Sequence, residues 1–182
     1  MPEPVLSLEP CRPVEEHARL VMDWRNDAQT LAMFYHHTPK RWDGFWPEFR
    51  DTYFTHPALP PLFLCADGTP VAFLRYQPAE HPLGAPGRTV DVSINVSPQA
   101  RGCGYGRTAL VHGADFLRRV GIDHVVAEIR TENAASRQAF LSAGYRLLDE
   151  TDKVVADTGE RCRIARYLLD LEVPGAAAAM DR

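Results

Sequence analysis

Apolar positions along this chain follow two periods, and the changes between them outline its elements. Short apolar or alternating runs at residues 5–8, 62–66, 70–77, 90–96, 125–129, 145–148 and 164–171 predict strands. Asp67-Gly68, between the second and third of these, is a two-residue turn signal and predicts a hairpin. Elsewhere the spacing lengthens to that of a helix. Pro13 opens one that runs to Trp24, with Val14, His17, Val21 and Trp24 on one face. A second helical region covers residues 28–53, with breaks expected at Thr38-Pro39 and near Pro47. Leu110, Gly113, Ala114 and Leu117 line the inner face of a helix over residues 104–119. A last helix is capped by Asn133, carries Ser136, Ala139, Phe140 and Ala143 on one face, and ends at Gly144.

Strands interleaved with helices make this an α/β (α+β) chain. At 182 residues and 45% hydrophobic it can bury a sizeable core. One domain is expected over residues 1–172, with an Ala/Gly-rich tail at 173–182 that frays. A net charge of −4 leaves no basic footprint for nucleic acid. No apolar run approaches the ~18 residues of a membrane span, and Met1-Pro2-Glu3-Pro4 offers neither a basic nor an apolar leader segment. A soluble cytoplasmic protein, monomer or homodimer, is the expectation. Cys11, Cys65, Cys103 and Cys162 are scattered, without a C-x-x-C pair or a histidine at zinc-finger spacing, so free thiols and no metal are expected.

The chemistry concentrates where the strand ending Ile94-Asn95-Val96 passes through a glycine-rich turn into a helix. Gly102, Gly104 and Gly106 let backbone N–H groups converge on an anion, and the helix N-terminus adds about half a positive charge. Arg101 and Arg107 flank the turn, while Cys103 and Tyr105 complete it. Cys103 reads as a small residue that fits the loop rather than as a nucleophile. Arg107-Thr108 is not the Lys-Ser or Lys-Thr of a Walker loop, and G-x-G-x-G is not the dinucleotide G-x-G-x-x-G. An ordinary strand-to-helix turn is the plain alternative.

The run Arg101-x-x-Gly104-x-Gly106 resembles the R/Q-x-x-G-x-G/A loop of the GNAT superfamily of acyl-CoA N-acyltransferases. The segment from Asn133 through Ser136 and Phe140 to Gly144-Tyr145 resembles the family's N-x-x-S/A-x-x-x-F/Y-x-x-x-G-F/Y. More loosely, Trp24-Arg25-Asn26-Asp27 and Arg75-Tyr76 resemble the branch of bacterial sugar-amine and ribosomal-protein N-terminal acetyltransferases. The resemblance implies the GNAT fold: a mixed, twisted sheet of six or seven strands with helices on both faces. It also implies that two central strands splay around the pantetheine arm of acetyl-CoA, whose pyrophosphate sits on the glycine loop. Amides of Ile94, Asn95 and Val96 would then polarise the thioester carbonyl, and Asn133, Ser136 and Phe140 would contact the cofactor. Many family members carry a tyrosine at the Phe140 position that protonates the leaving thiolate; that acid is missing here.

An ammonium cannot attack a thioester, so a base has to take its proton. Strand alternation puts Asp91, Ser93 and Asn95 on one face, and Asp91 matches a carboxylate frequent at this place in the family. Glu128 on the neighbouring strand is the second candidate, and either reads equally as a salt-bridged surface carboxylate. Trp24, Arg25, Tyr35, Arg41, Trp46 and Arg75 combine aromatics with cations, which suits an acceptor bearing a sugar, base or phosphate. The plain alternative is an amphipathic helix burying its own aromatics. The expected activity is acetyl transfer to the primary amine of a small molecule, an amino sugar or nucleotide-linked amino sugar. A protein N-terminus is the alternative acceptor, and a catalytically silent CoA-binding module the alternative role.

Overall fold

The computed structural model describes residues 3–34, 37–155 and 158–171, so Tyr35 and the tail expected at 173–182 lie outside the described residues. In chain order the elements are β1 (Leu6–Pro10), α1 (Glu15–Asn26), α2 (Ala28–Met33), α3 (Trp42–Thr52), β2 (Leu62–Ala66), β3 (Thr69–Ala79) and β4 (Thr89–Val96). A 3-10 turn at Pro98–Ala100 leads into α4 (Tyr105–Arg119), β5 (His124–Arg130), α5 (Ala134–Ser142), β6 (Arg146–Val154) and β7 (Arg161–Asp170). The strands form one seven-stranded sheet in the order β1-β2-β3-β4-β5-β7-β6. Its pairs are antiparallel except β4 with β5, which α4 connects as a crossover.

Alternation along the central strands feeds two cores. Leu62, Leu64, Leu74, Tyr76, Val90 and Val92 face α4 and α5. Phe63, Cys65 and Phe73 face the other way, against Ala18, Val21 and Trp24 of α1 and Phe45 and Phe49 of α3. The approach of α4 to β3 is close enough to require glycine, because a Cβ on Gly113 would lie 2.3 Å from the Tyr76 hydroxyl.

The long second helical region is two helices separated by residues 34–41. Asp27 starts the first by accepting the Thr30 N–H at 3.1 Å. Pro47 does not break α3, which Phe45 and Phe49, fully buried on its inner face, hold against the sheet. β6 runs nine residues rather than stopping at residue 148. Its register with β7 continues from Arg146 opposite Leu168 to Val154 opposite Arg161, so ladder pairing extends it where apolar alternation does not.

One topological detail prepares the site. β4 and β5 pair only at Thr89 with His124, Val90 with Val125 and Asp91 with Val126. Beyond Asp91, β4 follows β3 to Val96 and β5 follows β7 to Arg130, so the two part and leave a wedge.

Candidate active site

Backbone groups on the β4 side of the wedge can be assigned from the ladder. The Ser97 N–H donates to the Val71 carbonyl at 2.9 Å. Counting back by twos, the N–H groups of Asn95 and Ser93 face β3, while those of Ile94 and Val96 face the wedge. The Asn95 amide, expected as a carbonyl donor, therefore points to the wrong side.

At its open end the wedge meets the N-terminus of α4. Gly102 and Gly104 adopt φ of +76° and +82°, and a Cβ on either would meet nothing within 4 Å. The Thr108 N–H is bonded to the Gly104 carbonyl at 3.1 Å, so the amides of Tyr105, Gly106 and Arg107 precede the first helical bonds. Gly106 brings this turn close to Val96 and Ala139, each 3.5 Å from where its Cβ would be. An open turn edged by amides that precede the helical ladder, at a helix N-terminus, fits a phosphate.

The arginines behave differently from expectation. Arg101 turns to α2, bonding Asp27 at 2.6 Å, Thr30 at 2.7 Å and Gln29 at 2.9 Å. Arg107 donates to the Ser142 carbonyl at the end of α5 at 3.0 Å. Both tie the loop to its neighbours, and the positive potential comes from backbone and dipole. Cys103 is exposed, its thiol 3.7 Å from the Arg101 carbonyl. The Asn133 side-chain oxygen accepts the Ser136 N–H at 3.1 Å, which leaves only its Nδ2 group to donate elsewhere. Phe140, expected against the cofactor, is 2% exposed and packs on Tyr145 and Tyr167 at ring distances of 4.8 and 6.1 Å. It is the one buried residue of α5, so packing claims it.

Asp91 occupies the last rung before the strands part. Burial, and then the negative charge of Glu128, raise its carboxyl to about 6, with Lys153 pulling the other way. Such a group is ionised at neutral pH yet basic enough to accept a proton in a reaction. Glu128 shares that face of β5 and forms an ion pair with Lys153 of β6, so it acts on Asp91 as a charge. The buried Tyr145 hydroxyl is raised well above its ordinary range by burial and holds its proton tightly.

Of the expected acceptor residues that are described, Arg75 stands on β3 opposite Ser93 and Arg25 lies close enough for its charge to act on Arg75. Trp24 is 5% exposed and edge-on to Phe63 at 6.1 Å, sealed between α1 and the sheet. Trp46 stacks on Trp42 at 5.7 Å and 9°, with the Arg19 guanidinium 3.8 Å over Trp42, so it belongs to an α1–α3 contact. Arg41 is the exposed N-cap of α3. One residue missing from the sequence reading is Tyr53, whose hydroxyl is buried without a hydrogen-bond partner among the described residues. Its signal was the i, i+4 series Phe45, Phe49, Tyr53 along α3.

His81, His124 and Asp170 bring potential ligand atoms within 4.8 Å of one another. Nδ1 of His81 accepts backbone N–H groups of Leu83 and Ala85 at 3.2 and 3.1 Å, which puts its proton on Nε2 and leaves no lone pair to give. The nitrogens of His124 face Asp170 at 2.8 Å and the Pro86 carbonyl at 3.0 Å. The trio braces the foot of the sheet and is not a ligand set.

Three kinds of relative align with this arrangement. The Acetyltransferase (GNAT) family model matches residues 19–145. Streptothricin acetyltransferase of Streptomyces lavendulae is 31% identical over 75 residues, covering 41% of this chain and 40% of that one, so the match spans under half of the relative. Spermidine N-acetyltransferase of Vibrio cholerae, solved with CoA and spermine, superposes with a TM-score of 0.75 at 12% identity over 92% of this chain and 96% of that chain. A GNAT superfamily phosphinothricin acetyltransferase of Sinorhizobium meliloti, solved with acetyl-CoA, gives 0.70 at 17% over 91% and 88%. These two share the fold with it. Because the family model takes in well over half of the residues, including the wedge, the glycine loop and the Asn133 helix, the chain belongs to the GNAT acetyltransferase family.

Proposed function

We propose that this chain transfers the acetyl group of acetyl-CoA directly to the primary amine of a small molecule, with Asp91 as the base. The observation that carries the reading is the Asp91 carboxyl, raised to about 6 and placed where β4 and β5 part. Amides at the start of α4 would hold the pyrophosphate, and the wedge would admit the pantetheine arm. Ile94 and Val96 have amides to offer the acetyl carbonyl, where developing negative charge is stabilised. Acetyl-CoA supplies an activated thioester; Asp91 takes the ammonium proton so that the amine lone pair can attack it. Neither Phe140 nor the firmly protonated Tyr145 can donate to the departing sulfur, so its proton comes from water.

An amino sugar as acceptor draws no support from Arg41 or Trp46, which are engaged elsewhere or outside the site. A silent CoA-binding module would have no use for a buried, raised carboxyl at the head of the wedge. The test is a panel of primary amines with acetyl-CoA, read by free-thiol release. Amine-dependent release is expected, and acetyl-CoA binding without release for any amine would refute the reading in favour of a silent module.

A further inference from the structure

We infer that the acceptor carries an oxyanion a few bonds from its amine, held by Arg25 and Arg75 beside Asp91; this rests on the acetyltransferase reading above. Arg75 of β3 stands directly opposite Ser93, and paired residues share a face of the sheet. Arg75 and Asp91 are therefore diagonal neighbours, roughly 7–8 Å apart on adjacent strands. The Arg75 guanidinium lies 3.8 Å over the Tyr53 ring and donates a 3.3 Å hydrogen bond to the Thr52 carbonyl. The Arg25 guanidinium lies 4.8 Å over the Phe34 ring, and its Nε, like the Tyr53 hydroxyl, is buried without a hydrogen-bond partner among the described residues. The two cations are close enough that the charge of Arg25 adds to burial, the larger cause, in lowering the pKa of Arg75, while Tyr53 and Glu48 oppose them.

Among the described arginines that are at least partly buried, what sets this pair apart is the missing countercharge. Arg101, Arg130, Arg137, Arg163 and Arg166 each pair with a carboxylate. Among the described residues no carboxylate forms an ion pair with Arg25 or Arg75; Glu48, whose charge reaches Arg75, is bonded to Lys40 at 2.6 Å. Two partly buried guanidiniums within reach of each other's charge and without a carboxylate are costly, and an anion bound by them removes the cost. Each guanidinium lies against an aromatic ring, and its planar fork can receive a carboxylate or phosphate bidentately, with the Tyr53 hydroxyl as a further donor. A second ammonium would be repelled at the same place. An amine seated at Asp91 with its oxyanion at Arg75 describes a compact amino-carboxylate or amino-phosphonate and excludes a polyamine.

Matched acceptors test this: an amino acid, its carboxamide, the corresponding aminophosphonate, and spermidine, each followed by thiol release. The charged member should exceed the carboxamide by roughly tenfold or more in kcat/KM, because the site is built around the group the carboxamide lacks. Arg75→Gln and Arg25→Gln should bring that ratio towards one by raising the acceptor KM while acetyl-CoA affinity stays unchanged. Arg75→Lys keeps the charge without the fork and should fall between, which also serves if the Gln variant folds poorly. The phosphonate-to-carboxylate ratio identifies the oxyanion. Wild-type turnover of the carboxamide or spermidine as good as that of the amino acid overturns the inference and leaves the acetyltransferase reading standing. If no amine releases thiol, that reading fails, and binding decides this one. N-acetylglycine or inorganic phosphate at millimolar concentration should raise the unfolding midpoint of the wild type but not of the Arg25→Gln, Arg75→Gln double variant, and no rise in the wild type overturns it.

Discussion

Asp91→Asn separates stability from activity at one atom pair. The Asp91 carboxyl titrates at about 6 against its ordinary 3.8, so the folded state binds that proton more tightly than the unfolded chain. Stability from this group is present below the ordinary value and is lost as pH rises from about 4 to about 6. At roughly 1.4 kcal/mol per pH unit, the full difference at neutral pH is about 3 kcal/mol. Asparagine has nearly the same volume and no charge to desolvate. The variant should be more stable than the wild type at pH 7 by ~1–3 kcal/mol, less what its own amide loses by burial, and the advantage should vanish near pH 4. The rate of acetyl transfer should meanwhile fall by ~10²-fold or more, the usual contribution of a general base, with acetyl-CoA affinity kept. Wild-type kcat/KM should rise with pH through about 6. Urea unfolding of both proteins across this range isolates Asp91, since every other titrating group is common to them. A stability difference independent of pH, or an unchanged rate, would sink the assignment of Asp91 as a buried base.

Gly104→Val forces a branched residue into φ of +82° at the mouth of the proposed phosphate cradle. It should raise the acetyl-CoA Kd by at least about tenfold while costing the fold only ~1–2 kcal/mol; calorimetric binding unchanged in a folded variant refutes the loop assignment. Gly113→Ala puts a methyl 2.3 Å from the Tyr76 hydroxyl and 3.1 Å from Leu74, and should destabilise by ~1–3 kcal/mol. Adding Tyr76→Phe should restore most of that, and no recovery would place the strain elsewhere. Arg101→Ala frees Asp27, whose carboxyl the Arg101 hydrogen bond holds below its ordinary range. Stability should therefore drop at neutral pH, the difference from wild type closing as Asp27 is protonated in acid; a difference that persists there would refute the tie between loop and α2.

Much of this molecule is legible from neighbours along the chain. The Asp67-Gly68 hairpin follows from two residues that accept φ of +48° and +76°. The helix after the glycine loop announces its buried side through Leu110, Gly113, Ala114 and Leu117, all of which are buried. Asn133 caps its helix and Gly144 closes it at φ of +93°, as their residue types allow. Turn chemistry, caps and hydrophobic period are properties of a few consecutive residues, so the chain itself determined these elements and the family pattern they compose. Tertiary structure decided what depends on neighbours in space. Arg101 and Arg107 look the same in a sequence whether they meet a phosphate or a helix, and the fold supplies Asp27 and the Ser142 carbonyl. Trp24, Trp46 and Phe140 have the residue types of a binding surface, yet packing against other elements takes them. The parting of β4 from β5 at Asp91, which gives that carboxylate its place, and the burial and Glu128 charge that raise its pKa exist only once distant strands choose how far to pair. Likewise Arg25 and Arg75 lie far apart in the chain, and only the fold sets them together without a countercharge, because a sequence shows charges but not the distances between them.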